Sequence, residues 1–369
     1  MIKVLHVCSD TNIGGAGKYL LNLFQSASST VDLFFLLPRH SKLAEVLKNA
    51  GAKVIELNIT ADKSLAIKDV YKISRLINRL NPDIVHTHAS LTSRLCSKLC
   101  NKKVIYTRHY VDALDVNTQE VSRFKKAVNN ALCDGVIGVA NETLDVILKM
   151  GIDKDKVKII LNGVAPINMY SVEEKDNIKH KYNIPNDKMV ILLLSRLSKE
   201  KGADIFVDVV GKIVETNKNV IAIIAGTGKE EQNIRDLIEQ KGMTQYIRQV
   251  GFIENVAEVL NITDVILNTS ITEAQSLSLC EAMSLGIPAV ATNTGGNPSL
   301  IKHDYNGYIG DVGNITQLAF FTNKLLNDDI IYKTMSQNAL KEFKSHHIST
   351  IMSKQTEEFY KHILKQVKK

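Results

Sequence analysis

At 369 residues the chain exceeds what one hydrophobic core usually serves, so two domains are the starting expectation. Its 44% apolar and 23% charged residues are those of a globular protein, and no apolar run approaches the roughly eighteen residues of a membrane helix. The net charge of +7 is unevenly placed: residues 1–165 hold 23 Lys and Arg against 15 Asp and Glu, whereas the rest holds 23 against 24. The basic excess points the first half at an anionic surface, membrane or nucleic acid, with scattered solubilising lysines as the plainer reading. Five cysteines without a paired framework fit reduced thiols, and Cys96 and Cys100, at i and i+4, lack the His or carboxylate neighbours of a metal site. MIKVLHVCSD is a charged start running straight into a strand rather than a secretory leader, so the expected location is cytoplasmic.

In chain order, Lys3 to Cys8 is an alternating β-branched strand, followed by a loop with Gly14, Gly15 and Gly17. A helix with Leu20, Leu21, Leu23 and Phe24 on its apolar side comes next. Glycines there let the backbone approach a ligand and aim N–H groups at phosphate, although the spacing is not G-x-G-x-x-G. VDLFFLLP and VIELNI read as strands around the helix SKLAEVLKNAG, and a longer helix is expected from about Ser64 to Leu80, before Asn81-Pro82. DIVHTH, VIYTRH, GVIGVA and VKIIL are further short strands, with helices near 91–100, 121–132 and 141–150. His86 and His88 fall on one side of a strand end at metal-ligand spacing. Asn162-Gly163-Val164 closes this half, and Pro166 with SVEEKDNIKHKY reads as a linker.

MVILLLS opens the second half, with Arg196 and Lys201 at its carboxyl end before a helix starting near Ala203. A forked guanidinium and a compact ammonium at such a place suit a diphosphate. VIAIIAGTGKE repeats the strand-to-glycine theme with Gly226 and Gly228, and IRQVGFI is the next strand, followed by a helix from Asn255 to Asn261. Then comes a strand (Val265 to Leu267), a polar loop with Glu273, a helix opening near Ser276, Leu277 and Ser278 and carrying Glu281, a strand (Ala289 to Ala291) and a Gly-Gly turn. After Gly307 the expectation is helix to the end: Ile315 to Leu326, Ile330 to Lys344, and about Ile348 to Gln366. Strands alternating with helices mean parallel, doubly wound sheets. In such sheets, carboxylates and unpaired first-turn N–H groups beyond a strand's carboxyl end make a place for a phosphate-bearing ligand.

EAQSLSLCEAMSLGIPAVAT closely resembles the E-x7-E signature of the retaining glycosyltransferases of family 4, with Glu273 and Glu281 as its carboxylates. Pro288 after Gly286, then Gly295-Gly296 and Pro298, follow as that family has them. The departures are Ser299 in place of the more usual Glu, Ala165 in place of the Asp of an N-G-V-D turn, and Ser195 in place of the first Gly of a G-R-L…K-G pattern. The resemblance implies an α/β fold of GT-B architecture, two Rossmann-like domains with parallel sheets facing across a cleft. Residues 1–165 would be the acceptor side, with the terminal helix 348–369 packing back on it, and 166–347 would hold the nucleotide sugar. The implied donor is a nucleotide diphosphate sugar, with UDP as the expected nucleotide, and no metal or other cofactor is implied; PDIVHTH resembles the family's PD-V-H-H strand, which implies structural packing or acceptor contact for His86 and His88.

By the same resemblance, Arg196, Lys201 and the helix start at Ser276, Leu277 and Ser278 would neutralise the leaving diphosphate. Glu281 would bind ribose and Glu273 the transferred sugar. His109 matches the family's T-x-H position near that sugar, Gly14 and Gly15 its N-terminal glycine loop, and Gly226 and Gly228 its A-G-x-G segment. The expected acceptor is lipid-linked or a glycan. The expected location is then peripheral at an anionic membrane, through Lys102, Lys103, Arg123, Lys125 and Lys126. Nucleic acid is not an expected partner, because Phe124 is the one aromatic interleaved with those cations. A sugar-nucleotide epimerase of the same architecture and a catalytically idle sugar-nucleotide-binding protein are the alternatives.

Overall fold

The computed structural model describes residues 1–11, 13–61, 64–88, 90–109 and 121–366; residues 367–369, part of the expected terminal helix, lie outside that set. The chain forms two compact units, Met1–Val164 with Ile348–Lys369, and Ala165–His347. In the first, strands β1 (Ile2–Cys8), β2 (Val31–Pro38), β3 (Lys53–Leu57), β4 (Ile84–His88), β5 (Lys103–Arg108), β6 (Gly135–Gly138) and β7 (Val157–Ile159) alternate with helices. These are α1 (Gly15–Gln25), α2 (Lys42–Asn49), α3 (Val70–Leu80), α4 (Leu91–Leu99), α5 (Arg123–Ala131) and α6 (Thr143–Lys149). In the second, α7 (Val172–Lys181) precedes β8 (Met189–Leu194), α8 (Ala203–Val214), β9 (Val220–Ala225), α9 (Glu231–Gln240), β10 (Ile247–Gly251), α10 (Val256–Asn261) and β11 (Val265–Asn268). It continues with α11 (Leu277–Ser284), β12 (Ala289–Thr292), α12 (Asn297–Leu300), β13 (Gly307–Gly310), α13 (Ile315–Asn327) and α14 (Asp329–Glu342). Helix α15 (Ser349–Lys365) belongs to the first unit again.

Both sheets are parallel, in the orders β3-β2-β1-β4-β5-β6-β7 and β10-β9-β8-β11-β12-β13. Parallel neighbours need crossover helices, and helices on both faces demand strands that are apolar throughout. Strand β9, VIAIIA, is accordingly buried at every residue. The order reverses beside the first strand of each sheet: β1 lies between β2 and β4, and β8 between β9 and β11. At such a reversal the loops leaving the two strands turn to opposite faces and open a crevice beyond their carboxyl ends. The second core packs Phe206, Val210, Ile224, Leu267 and Leu318, and the first packs Leu20, Leu23, Phe35 and Ile105 with Met352, Tyr360 and Ile363 of α15. At about 1.5–3 kcal/mol for each buried apolar side chain, α15 is integral to the first core.

Four segments fold differently from the sequence expectation. SVEEKDNIKHKY is no linker but contains α7, whose start is a capping box: Ser171 Oγ accepts from the Glu174 N–H at 3.2 Å, and the Glu174 carboxylate accepts from the Ser171 N–H at 2.7 Å. The chain after Gly307 is not helical at once, because Gly307–Gly310 pairs with β12 as β13. The helix expected from Ser64 begins only at Val70, after a 3₁₀ turn at Ile67–Asp69; the buried Asp69 carboxylate accepts the Thr60 N–H at 2.6 Å, which fixes this corner. Helix α9 has no counterpart in the sequence expectation, since only Ile234 and Ile238 are buried in it and its apolar period is thin.

Candidate functional site

In the second unit, Lys201 Nζ lies 2.7 Å from Glu273 Oε2, with the two side chains only 18% and 12% exposed. Ser270 Oγ donates to the same carboxylate oxygen at 3.3 Å. Two glycines make this meeting possible. Gly202 has φ +61°, and a Cβ on it would stand 2.2 Å from Thr269 O, so the loop after β8 lies backbone-to-backbone on the loop after β11. Thr269 Oγ1 donates to Gly202 O at 2.8 Å, and the Ile271 N–H donates to Glu200 O at 2.8 Å, which laces the two loops together. Gly295 has φ +48° and would place a Cβ 1.5 Å from Glu273 O, so the turn after β12 closes directly on Glu273.

Arg196 is placed differently. Its side chain is 68% exposed and pairs at 2.8 Å with Glu200, which also accepts from Ser198 Oγ at 2.6 Å. The structure thus joins Lys201 to Glu273 and leaves Arg196 with Glu200. Gly226 and Gly228 pack against Ser195 O and Leu197 O, where a Cβ would come within 1.8 and 2.0 Å; here they give the Arg196 loop its close packing.

Ser276 caps α11, its Oγ accepting from the Leu279 N–H at 3.4 Å and lying 3.0 Å from Ser278 Oγ. Leu277 is buried, and Glu281 sits one turn along the helix at 7% exposure. The neighbouring Cys280 thiol is pushed well up, first by burial and then by the Glu281 charge. Behind the helix start lies a buried polar lattice that sequence reasoning missed. Asn268 Oδ1 accepts from the Ser270 N–H at 3.1 Å and from Asn297 Nδ2 at 3.3 Å, and Asn268 Nδ2 donates to Ser276 Oγ at 3.3 Å. Thr292 Oγ1 donates to Ser270 O at 2.6 Å. The signal was present: N-T-S and T-N-T each follow an apolar strand, and polar side chains buried there must find partners.

In the first unit, Gly14 caps α1 and Gly15 begins it; among the described residues a Cβ on either would meet nothing within 4 Å. His6 of β1 is in register with His86 of β4, and His88 with Thr107 of β5, so alternation turns these side chains to one side of the sheet. His6 Nδ1 lies 3.0 Å from His88 Nε2, and His88 Nδ1 lies 2.7 Å from His109 Nε2. His86 Nδ1 is 2.7 Å from Tyr360 Oη and its Nε2 is 2.6 Å from Thr107 Oγ1; Tyr360 Oη also reaches His6 Nε2 at 3.4 Å. Tyr19 packs edge-on to His109, with ring centres 4.9 Å apart. His6, His86 and His88 are close enough to share a metal ion, yet all six of their ring nitrogens are engaged in the contacts just given. Burial holds His6 and His109 down at about 3, and lowers His86 and His88 well below the usual imidazole range, with neighbouring rings adding to the effect. His86 and His88 were legible as a pair; their alignment with His6 depends on strand order, which local sequence does not carry.

Residues 13–166 match the family model for Glycosyltransferase Family 4, and residues 174–342 that for Glycosyl transferases group 1. The chain is a family 4 glycosyltransferase. It is similar to the N-acetyl-alpha-D-glucosaminyl L-malate synthase of Bacillus anthracis, 26% identical over 304 residues that span 80% of this chain and 78% of that one. It is also 23% identical to the UDP-Gal:alpha-D-GlcNAc-diphosphoundecaprenol alpha-1,3-galactosyltransferase of Escherichia coli, over 91% of each chain. Among solved structures, this glycosyltransferase superposes on Anabaena HepE in complex with UDP-glucose with a TM-score of 0.86 at 19% identity, covering 98% of this chain and 100% of that one. Such a likeness shows the fold, and the fold is of GT-B type. Among the described residues, no helix of the glycosyltransferase is long and apolar enough to cross a membrane.

Proposed function

We propose that this glycosyltransferase moves a sugar, with retention of anomeric configuration, from a UDP-sugar to a lipid-linked or glycan acceptor in the building of a surface polysaccharide or glycolipid. The observation that carries the reading is the Lys201–Glu273 pair, which joins the loops leaving the two strands where the second sheet reverses order, Glu273 in the loop that leads to α11. Breaking the donor's glycosidic bond leaves a diphosphate with added negative charge, so preorganised cations and N–H dipoles lower the barrier. Lys201 would turn from Glu273 to that diphosphate, freeing the Glu273 carboxylate for the sugar's hydroxyls and for the positive charge that develops on its ring. Arg196 would join it; an exposed pair such as Arg196–Glu200 is worth at most about 1 kcal/mol, so its loss costs little. The first-turn N–H groups at Ser276 to Ser278 add the positive end of the α11 dipole. Glu281 would accept from the ribose hydroxyls, His109 would face the transferred sugar, and Gly14 and Gly15 would leave room for the ligand. With these positive groups in place the reaction would need no metal ion.

The HepE complex supports a UDP-linked donor. The E. coli galactosyltransferase and the Alpha-monoglucosyldiacylglycerol synthase of Acholeplasma laidlawii, 29% identical over 60% of this chain, support a lipid-linked acceptor. On α5, Arg123, Phe124 and Lys125 are exposed, Phe124 by 78%, and this basic and aromatic first turn would meet an anionic bilayer. Lys103 drops out of that surface, since it is 16% exposed and lies 3.7 Å from Asp134.

Incubation with UDP-, GDP- and ADP-sugars, with and without vesicles carrying undecaprenyl-diphosphate saccharides or diacylglycerol, tests the reading. Release of nucleoside diphosphate should require acceptor, persist in EDTA, and give a product whose anomeric configuration matches the donor's. Acceptor-independent conversion of the sugar would favour the epimerase, and binding without turnover the idle protein.

A further inference from the structure

The contacts around His6, His86, His88 and His109 form one unbranched path: Thr107 Oγ1, His86, Tyr360 Oη, His6, His88, His109. Each of the three inner rings is engaged at both nitrogens. A neutral imidazole has one N–H donor and one acceptor nitrogen, so the direction of one hydrogen bond fixes the next. Suppose His88 Nδ1–H donates to His109 Nε2. His88 Nε2 must then accept from His6 Nδ1–H, His6 Nε2 from the Tyr360 hydroxyl, and Tyr360 Oη from His86 Nδ1–H, leaving His86 Nε2 to accept from Thr107. Reversing the first bond reverses the others as far as Tyr360, whose oxygen could instead accept from both His6 and His86, but only by turning its buried hydrogen off the path at the cost of an unmade hydrogen bond. The path therefore has two arrangements in which every donor on it is used, one with every ring protonated at Nδ1 and one with every ring protonated at Nε2.

We propose that these four histidines act as a single tautomeric unit, in which all the rings are neutral and carry their proton on the same nitrogen, so that the buried rings decide whether His109 Nδ1 is a donor or an acceptor. His6, His86 and His88 are then positioning residues for His109. The alternation of β1 and β4 supports this geometry, since it stacks His86 on His88 with ring centres 4.6 Å apart and His6 on His88 at 5.4 Å. An imidazolium in such a stack would stand beside other rings without water, which burial penalises. Among the described residues, two titratable groups packed against the rings are Tyr19, pushed up to about 12 by burial, and Tyr360, pushed well up by burial and then by Tyr19 and Glu357. Both therefore stay neutral and able to donate. For a transferase the consequence is that His109 offers a bound hydroxyl one defined hydrogen-bonding sense, rather than a mixture. That consequence rests on His109 facing the substrate; the shared tautomer does not.

Long-range ¹H–¹⁵N correlation spectra of the whole chain labelled at histidine nitrogen read the tautomer of each ring. The four rings, assigned by single variants, should all be neutral and all of one tautomer. Tyr360→Phe removes only the hydroxyl between His86 and His6, and should give His109 a mixed tautomer and lower kcat about tenfold, with the donor KM unchanged. His6→Gln, which cuts the path one ring closer, should do the same if Tyr360→Phe does not fold. Mixed tautomers among the four wild-type rings would overturn the proposal. So would an unchanged His109 pattern in a folded Tyr360→Phe or His6→Gln protein, or one equivalent of zinc bound by the wild type and lost in His88→Gln, since a metal takes the lone pairs the path uses. If the tautomers behave as stated but kcat is normal in both Tyr360→Phe and His109→Ala, the substrate-facing role of His109 fails and the tautomeric unit stands.

Discussion

The two sheets reverse strand order in the same way, yet the strand ends beside the two reversals carry opposite chemistry. Beside β1 and β4 the protein has stacked neutral rings, paired ring to ring and sealed by aromatic neighbours. Beside β8 and β11 it has an ammonium and a carboxylate held together by glycine-tight loops, over a lattice of amides and hydroxyls. One arrangement avoids charge by mutual hydrogen bonding, whereas the other stores a charge pair that a ligand of the right polarity can divide. A shared topology therefore supplies a crevice and nothing about its contents; the side chains on two strand ends decide those.

The comparison can be broken most severely with acid. His6 titrates at about 3 in the fold and near 6.5 when unfolded, so between these values the unfolded chain binds the extra proton. Stability from this group is thus complete above about pH 6.5 and is lost as pH falls from there towards about 3. His86 and His88 act in the same direction. Each pH unit between the two values is worth about 1.4 kcal/mol, so His6 alone can withdraw several kcal/mol. Hydrogen exchange, corrected for intrinsic rates, should show β1 and β4 losing protection between about pH 6.5 and 4.5 ahead of β8 and β11. Equal loss in both sheets would mean that the histidine stack does not govern acid stability.

Next in size is the charge pair. Lys201→Ala and Glu273→Gln should each lower turnover by roughly 10² to 10³ with the fold intact, the scale of one preorganised electrostatic group. Near-normal kcat in either would leave the pair a structural tie between loops. The smallest effect sharpens the division within the second unit: Glu281→Gln should weaken nucleoside diphosphate binding about tenfold while leaving kcat nearly unchanged, as fits a ribose contact equally strong in ground and transition states. Calorimetry with UDP decides it, an unchanged affinity removing Glu281 from the ribose.

The alternation of short apolar strands with amphipathic helices made the parallel α/β fold readable before any contact was known, because that pattern is a local property of the chain. The word EAQSLSLCEAMSLG marked the site region in the same way. What escaped was non-local or locally faint. The capping box of α7 was written as S-V-E-E but lay under a polar composition that suggested a linker. Strand β13 is four residues, two of them glycine, and owes its existence to pairing with β12. The partnership of Lys201 with Glu273 spans 72 residues and depends on Gly202 and Gly295, whose need for positive φ and bare Cα atoms appears only when the loops meet. The joining of His6 to His86 required β1 and β4 to be neighbours, and Tyr360 comes to them from a helix 274 residues beyond His86.

That last distance bears on how the chain is made. The first unit is assembled from two stretches of sequence with the whole second unit between them, and Val164 and Ile348, where the chain leaves and re-enters it, pair with each other. On the ribosome, β1 to β7 emerge before α15, the helix that covers Leu20, Leu23 and Phe35, so the core of the first unit cannot be complete until the inserted second unit has been translated. The half made first is therefore finished last.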